Sequence, residues 1–107
     1  MTDQNAGLEL EEVELVEVED YGREGRRPPP ARRYAVKIDG QRYVFEQRIV
    51  TGAELLKRAG RTPPERWQLD KRVRGGKFIP IALGDKVDLG EPGIEVFETF
   101  PLDEREG

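Results

Sequence analysis

The chain has no cysteine and no histidine. The first absence excludes disulfides and thiol nucleophiles. The second removes imidazole acid–base chemistry, and together they exclude zinc sites built on Cys or His. No long apolar run is present, so nothing reads as a membrane span. The opening residues, MTDQNAGLELEE, carry neither the basic start nor the apolar core of a secretory signal. Cytoplasmic location is the expectation. Large apolar groups are scarce over residues 1–33, whereas residues 34–100 look ordinary for a small folded domain. A folded part of about 67 residues buries only about 60% of its unfolded surface, which leaves little room for an enclosed active site. Carboxylate neighbours such as Glu11 and Glu12, or Asp85 and Asp88, stand without a nucleophile or an imidazole. The GDKVD stretch is too short and too sparse in ligands for a calcium loop. The expectation is a chain that is not an enzyme, with no catalytic residues, no metal and no cofactor.

What is present is charge, unevenly spread. Residues 1–25 hold nine acids against one base, Arg23. Residues 26–33, RRPPPARR, hold four arginines and no acid. Leu8 to Asp20, LELEEVELVEVED, alternates apolar and acidic residues with two slips, pairing Leu8 with Leu10, Val13 with Leu15, and Val16 with Val18. Period two argues for a strand over a helix. Two readings follow: a solvated acidic tail, or a strand that adds to the edge of another sheet. The second would let the arm drive self-association. Residues 22–33 read as an extended, proline-rich linker. Their arginines lack interleaved aromatics, so they argue weakly for nucleic acid and better for a basic spacer. A basic rim of Arg72, Arg74 and Lys77 beside Gly75-Gly76 offers a place for the acidic arm of the same or of another copy. The reading divides the chain into an arm and linker at 1–33, a folded domain at 34–101 and a tail at 102–107.

The folded domain has one well-marked helix, VTGAELLKRAG. Thr51 is a natural N-cap, Glu54 three residues on completes a capping box, and Val50 with Leu55 forms a hydrophobic staple. Gly60 supplies the left-handed residue that ends such a helix, and Lys57 and Arg58 suit its C-terminal dipole. YAVKID and QRYVFEQ flank an Asp39-Gly40 turn and predict a hairpin. WQLDKRV is a strand with Trp67 and Leu69 facing in. FIPIAL is a short strand that Pro80 confines to an edge. Val87 and Leu89 tuck beneath the sheet from a loop. IEVFETF is the last strand, and its inward face stays open among Ile94, Val96 and Phe97. A hairpin, one helix and further strands make an α+β chain of β-grasp type. It has a mixed sheet of four to five strands on one helix, the first and last strands parallel at the centre.

Three runs, IDGQRYVFEQRIVTGAELLKRAG, PPERWQLDKRVRGGKFIPI and VDLGEPGIEVFETFP, resemble the bacterial multiubiquitin-type family of ubiquitin-like proteins. The likeness covers about residues 34–101. It implies a ubiquitin-like fold and the role of a protein modifier whose C-terminal glycine is activated and joined to target amines. It also implies partners: an activating-enzyme-like protein, a conjugating-enzyme-like protein, an isopeptidase-like protein and the targets. Only Gly107 matches the conjugated glycine, and Leu102, Asp103, Glu104, Arg105 and Glu106 form the tail those enzymes would read. The tail has one glycine where a double one is usual, and acids where ubiquitin has arginines and leucines. Lys37, Lys57, Lys71, Lys77 and Lys86 read either as acceptors of a second copy or as solvated surface groups. The alternative function is a non-conjugated binding or assembly module acting through its sheet and arm.

Overall fold

The computed structural model describes residues 12–102. Eight strands and two short helices run in the order β1 (Val13–Glu17), α1 (Val18–Glu24), β2 (Ala31–Ile38), β3 (Gln41–Phe45), β4 (Ile49–Thr51), α2 (Gly52–Arg58), β5 (Trp67–Val73), β6 (Lys77–Ile81), β7 (Lys86–Asp88) and β8 (Ile94–Pro101). The main sheet has six strands. Its order is β1-β2-β8-β5-β6, with β3 pairing β2. β2 and β3 form the hairpin expected around Asp39-Gly40, where both residues have positive φ. β2 and β8 run parallel at the centre, in register at Ile38 and Phe97. This is a β-grasp arrangement.

The expected helix is α2, and its start is closed as the sequence requires. The Glu54 N–H donates to the Thr51 hydroxyl oxygen at 3.1 Å, and the Thr51 N–H donates to the Glu54 carboxylate at 2.8 Å. Val50, Leu55 and Leu56 are buried, so the stapled side of the helix faces the core. Gly60 takes a φ of 77°, which reverses the chain after the last turn. β4 and β7 pair as a separate two-stranded sheet beside the start of α2. That pairing buries Val87 and, just beyond it, Leu89. Pro80 lies in β6, whose only partner among the described residues is β5.

The open face of β8 is settled by a bulge. Arg72 pairs with Val96 but Val73 pairs with Ile94, so one residue is skipped between them. Ile94 and Phe97, three apart, would point to opposite faces of a regular strand. The bulge lets both face inward, and both are buried, while Val96 is half-buried.

The N-terminal segment departs from its expected form. Residues 13–17 form a sixth strand that pairs parallel with β2 of the same chain, Val13 opposite Ala31 and Val16 opposite Tyr34. Val18 does not extend that strand; it begins α1. Leu8 and Leu10 lie outside the described residues. Residues 22–33 are not one linker: Gly22–Glu24 end α1, residue 25 is left-handed, and Ala31–Arg33 open β2. The physical reason is partnership. Backbone groups of residues 31–33 would be unpaired at a sheet edge, and β1 supplies the ladder that makes them a strand. Val16 and Val18 sit in the main core cluster with Ala31 and Tyr34.

Candidate functional site

Two places concern function: the point where the last strand leaves the domain, and the face covered by the arm. The last strand ends beside the start of β5. Pro101 is opposite Trp67, and the Leu102 N–H donates to the Arg66 carbonyl at 2.8 Å. Leu102 is exposed, as is Phe100 two residues earlier on the same side of the strand. Asp103, Glu104, Arg105, Glu106 and Gly107 lie outside the described residues.

A polar network fastens this end of the domain. Asp39, at the β2–β3 turn, accepts from the Thr99 N–H at 2.9 Å, from the Thr99 hydroxyl, and from Arg61 Nη2 at 2.8 Å. Arg61 Nε donates to the Thr99 hydroxyl oxygen at 3.0 Å, and its guanidinium lies 5.0 Å from the Trp67 ring centre. Partial burial of Asp39 opposes its charge. The hydrogen bonds from Thr99 and from Arg61, with the nearby guanidinium charge, outweigh that burial and hold the carboxyl below its usual range. Any stability from this shift is present above the unfolded carboxylate value, about 4, and is lost as pH falls through the lower folded value. The network joins residues sixty positions apart. Asp39 is legible as a turn residue, but nothing local marks its carboxylate as the acceptor for Thr99.

Trp67, expected in the core, is half-buried and packs against it, with Arg61 covering one face. The five lysines divide into two groups. Lys37 pairs with Glu19 at 3.2 Å, and Lys71 pairs with Glu91 at 2.8 Å. Lys57, Lys77 and Lys86 are exposed and have no carboxylate partner among the described residues.

The arm is held by apolar anchors and by charge. Arg33 meets Glu14 at 2.9 Å, and Arg42 grips Glu17 through both Nε and Nη2, the shortest contact being 2.7 Å. The expected rim of Arg72, Arg74 and Lys77 does not receive these acids within the chain. Arg33 on β2 and Arg42 on β3 meet them instead. Arg74 instead donates to the Arg23 carbonyl at 3.3 Å, at the C-terminal end of α1, and Arg72 stands 3.3 Å from Glu95. Gly22 makes the closest seat: a Cβ there would lie 1.7 Å from the Ile94 carbonyl oxygen. Among the described residues no helix is long and apolar enough to cross a membrane, and no three acidic side chains converge as a metal site would need.

Comparison with known proteins gives one match. A family model described as Multiubiquitin matches residues 34–101, from the middle of β2 to the end of β8. No curated protein and no solved structure matches.

Proposed function

The chain belongs to the multiubiquitin family, and from that premise we propose that it is a ubiquitin-like modifier activated at Gly107. The observation that carries this reading is the course of β8. It is the last element of the family domain, it is fastened at Thr99 and Leu102, and its exposed end leads directly into the tail. An unhindered glycine carboxylate on such a tail can enter a narrow activating site. Adenylation makes the carboxylate an acyl donor, a partner thiol takes the acyl group, and a target amine displaces the thiol to form an isopeptide bond. The chain supplies the acyl group and the binding surface. The activating-enzyme-like and conjugating-enzyme-like partners supply the catalysis, an isopeptidase-like partner reverses it, and the setting is the bacterial cytoplasm.

The test uses the full chain, ATP and an activating-type partner known to be active. A mass increase for an adenylate, or a reductant-sensitive thioester, is the expected result. Absence of both, with the partner active on a control modifier, overturns the reading.

One observation favours a second reading, a non-conjugated assembly module. Among the described residues β1 pairs with β2 alone, and Val13 and Leu15 are exposed on it. Its outer edge is open to another strand. Deleting Gly107 separates the two: it abolishes the modifier function and spares an assembly that works through the arm.

A further inference from the structure

We infer that β1 and α1 form an exchangeable arm, which leaves its own domain and takes the same seat on a second copy of the chain. This rests on the assembly reading and is independent of activation at Gly107. It moves the joint from the outer edge of β1 to the edge of β2 that β1 occupies. The first ground is where the partners of the arm lie. β1 pairs with residues 31–35 of β2. Val16 and Val18 pack with Ala31 and Tyr34. Glu14 meets Arg33, Glu17 meets Arg42, and Glu19 meets Lys37. Arg74 donates to the Arg23 carbonyl, and Gly22 lies against the Ile94 carbonyl. All of these partners lie at or beyond residue 31, and the family domain begins at 34. A second copy therefore presents the whole seat, with the same register and the same charges. Contacts internal to the arm, such as Arg23 with Glu19 and Arg26 with the Tyr21 ring, travel with it.

The second ground is the connection. At one end the Arg26 N–H donates to the Tyr21 carbonyl at 3.0 Å, a bond that moves with the arm. At the other the Val13 N–H donates to the Pro30 carbonyl at 3.0 Å, a bond that a second copy reproduces. Between them Arg27, Pro28 and Pro29 make no hydrogen bond among the described residues. A new path for these three breaks no hydrogen bond and uncovers Pro28, the one buried residue among them. Three prolines favour an extended path. Six steps of about 3.1 Å, from Gly25 to Ala31, reach about 19 Å. That carries the arm to a copy in contact, and reciprocal exchange closes a symmetric dimer.

The third ground is what an empty seat exposes. Val16 and Val18 are 2% and 1% exposed, so lifting the arm puts apolar surface into water. The arm is therefore seated, on its own domain or on another. The two arrangements share their contacts and differ in the path of the connection. Concentration decides between them, because a short connection competes at an effective concentration in the millimolar range.

The experiment uses the absence of native cysteine. Leu15 is opposite Arg33, and adjacent strands lie about 4.8 Å apart, within reach of a disulfide. Full-length Leu15→Cys and full-length Arg33→Cys are mixed, left to exchange, and oxidised with glutathione disulfide. Non-reducing electrophoresis and peptide mass spectrometry locate the links. The expected product is a dimer joined between positions 15 and 33, in excess of 15–15 and 33–33 links. Its yield rises at least about tenfold between about 10 µM and about 1 mM chain. Adding Gly22→Val to the Leu15→Cys copy lowers that yield about tenfold, because the arm no longer fits against the Ile94 carbonyl of the other copy. A single chain carrying both Leu15→Cys and Arg33→Cys closes within itself at about 10 µM, which checks the register. Failure of that closure overturns the inference. So does an internal closure with no 15–33 dimer at about 1 mM, or a 15–33 yield that Gly22→Val leaves unchanged. A 15–15 link in its place overturns exchange and keeps the assembly reading through the outer edge of β1.

Discussion

The two helices have the same length, seven residues each, and are held in place by different means. α2 organises itself. Its N-cap, its capping box and its staple all lie within six residues of one another, and the distant 83–85 loop adds only carbonyl acceptors for the Gly52 and Ala53 N–H groups. α1 has no side-chain cap: Glu17, at its N-cap position, makes no such bond. It is fixed by contacts with residues far along the chain. Gly22 lies against the Ile94 carbonyl, Glu19 meets Lys37, and Arg74 caps its C-terminal end. A helix of seven residues is unstable in isolation, so both depend on packing. For α1, packing also decides where the helix begins, because β1 must first pair with β2 and present Val18 to the core.

That contrast can be broken in four ways, from the largest effect to the smallest. Leu55→Ala removes a side chain with no exposed surface and costs about 2–5 kcal/mol of global stability, measured by chemical denaturation. The whole domain unfolds earlier because α2 is central to the core. Gly22→Val costs about 1–3 kcal/mol, since its side chain meets backbone and not a flexible neighbour. Hydrogen exchange places the effect: amides of 13–24 lose protection while those of β5 and β8 keep theirs. Uniform loss across both sets would show that arm and domain are one cooperative unit and would erase the distinction drawn here. Thr51→Ala removes the α2 cap and costs about 1 kcal/mol in thermal or chemical unfolding. Glu17→Gln releases the exposed Arg42 fork and has the smallest effect in chemical unfolding, smaller still at high salt. If Glu17→Gln were as damaging as Gly22→Val, charge and not packing would hold the arm.

The same contrast explains which elements are legible in the amino-acid sequence and which are not. α2, the Asp39-Gly40 hairpin and edge strand β6 each carry their signal within about a dozen residues, and all three can be read directly. The resemblance noted over about residues 34–101 spans the stretch that the family model matches. α1 is not readable, because VEDYGRE has period-two neighbours and a glycine that lowers helix propensity. That glycine is there for its fit against Ile94. Ala31 to Arg33 look like linker because three prolines precede them and their partner strand begins eighteen residues upstream, at Val13. The Asp39–Thr99 contact has no local mark at all.

The amino-acid order by itself determined the capped helix, the hairpin, the β-grasp class, and the separation of an acidic start and tail from a basic proline-rich stretch. The capping box and the hairpin turn rest on interactions between residues close in the chain, and the class follows from the order in which such local elements succeed one another. Only the tertiary structure decided that the acidic segment is part of the sheet, that a second helix follows it, and that both Ile94 and Phe97 face inward. Those outcomes depend on which backbone edge is open and which carbonyl a glycine can approach. Such facts come into being only when distant segments meet.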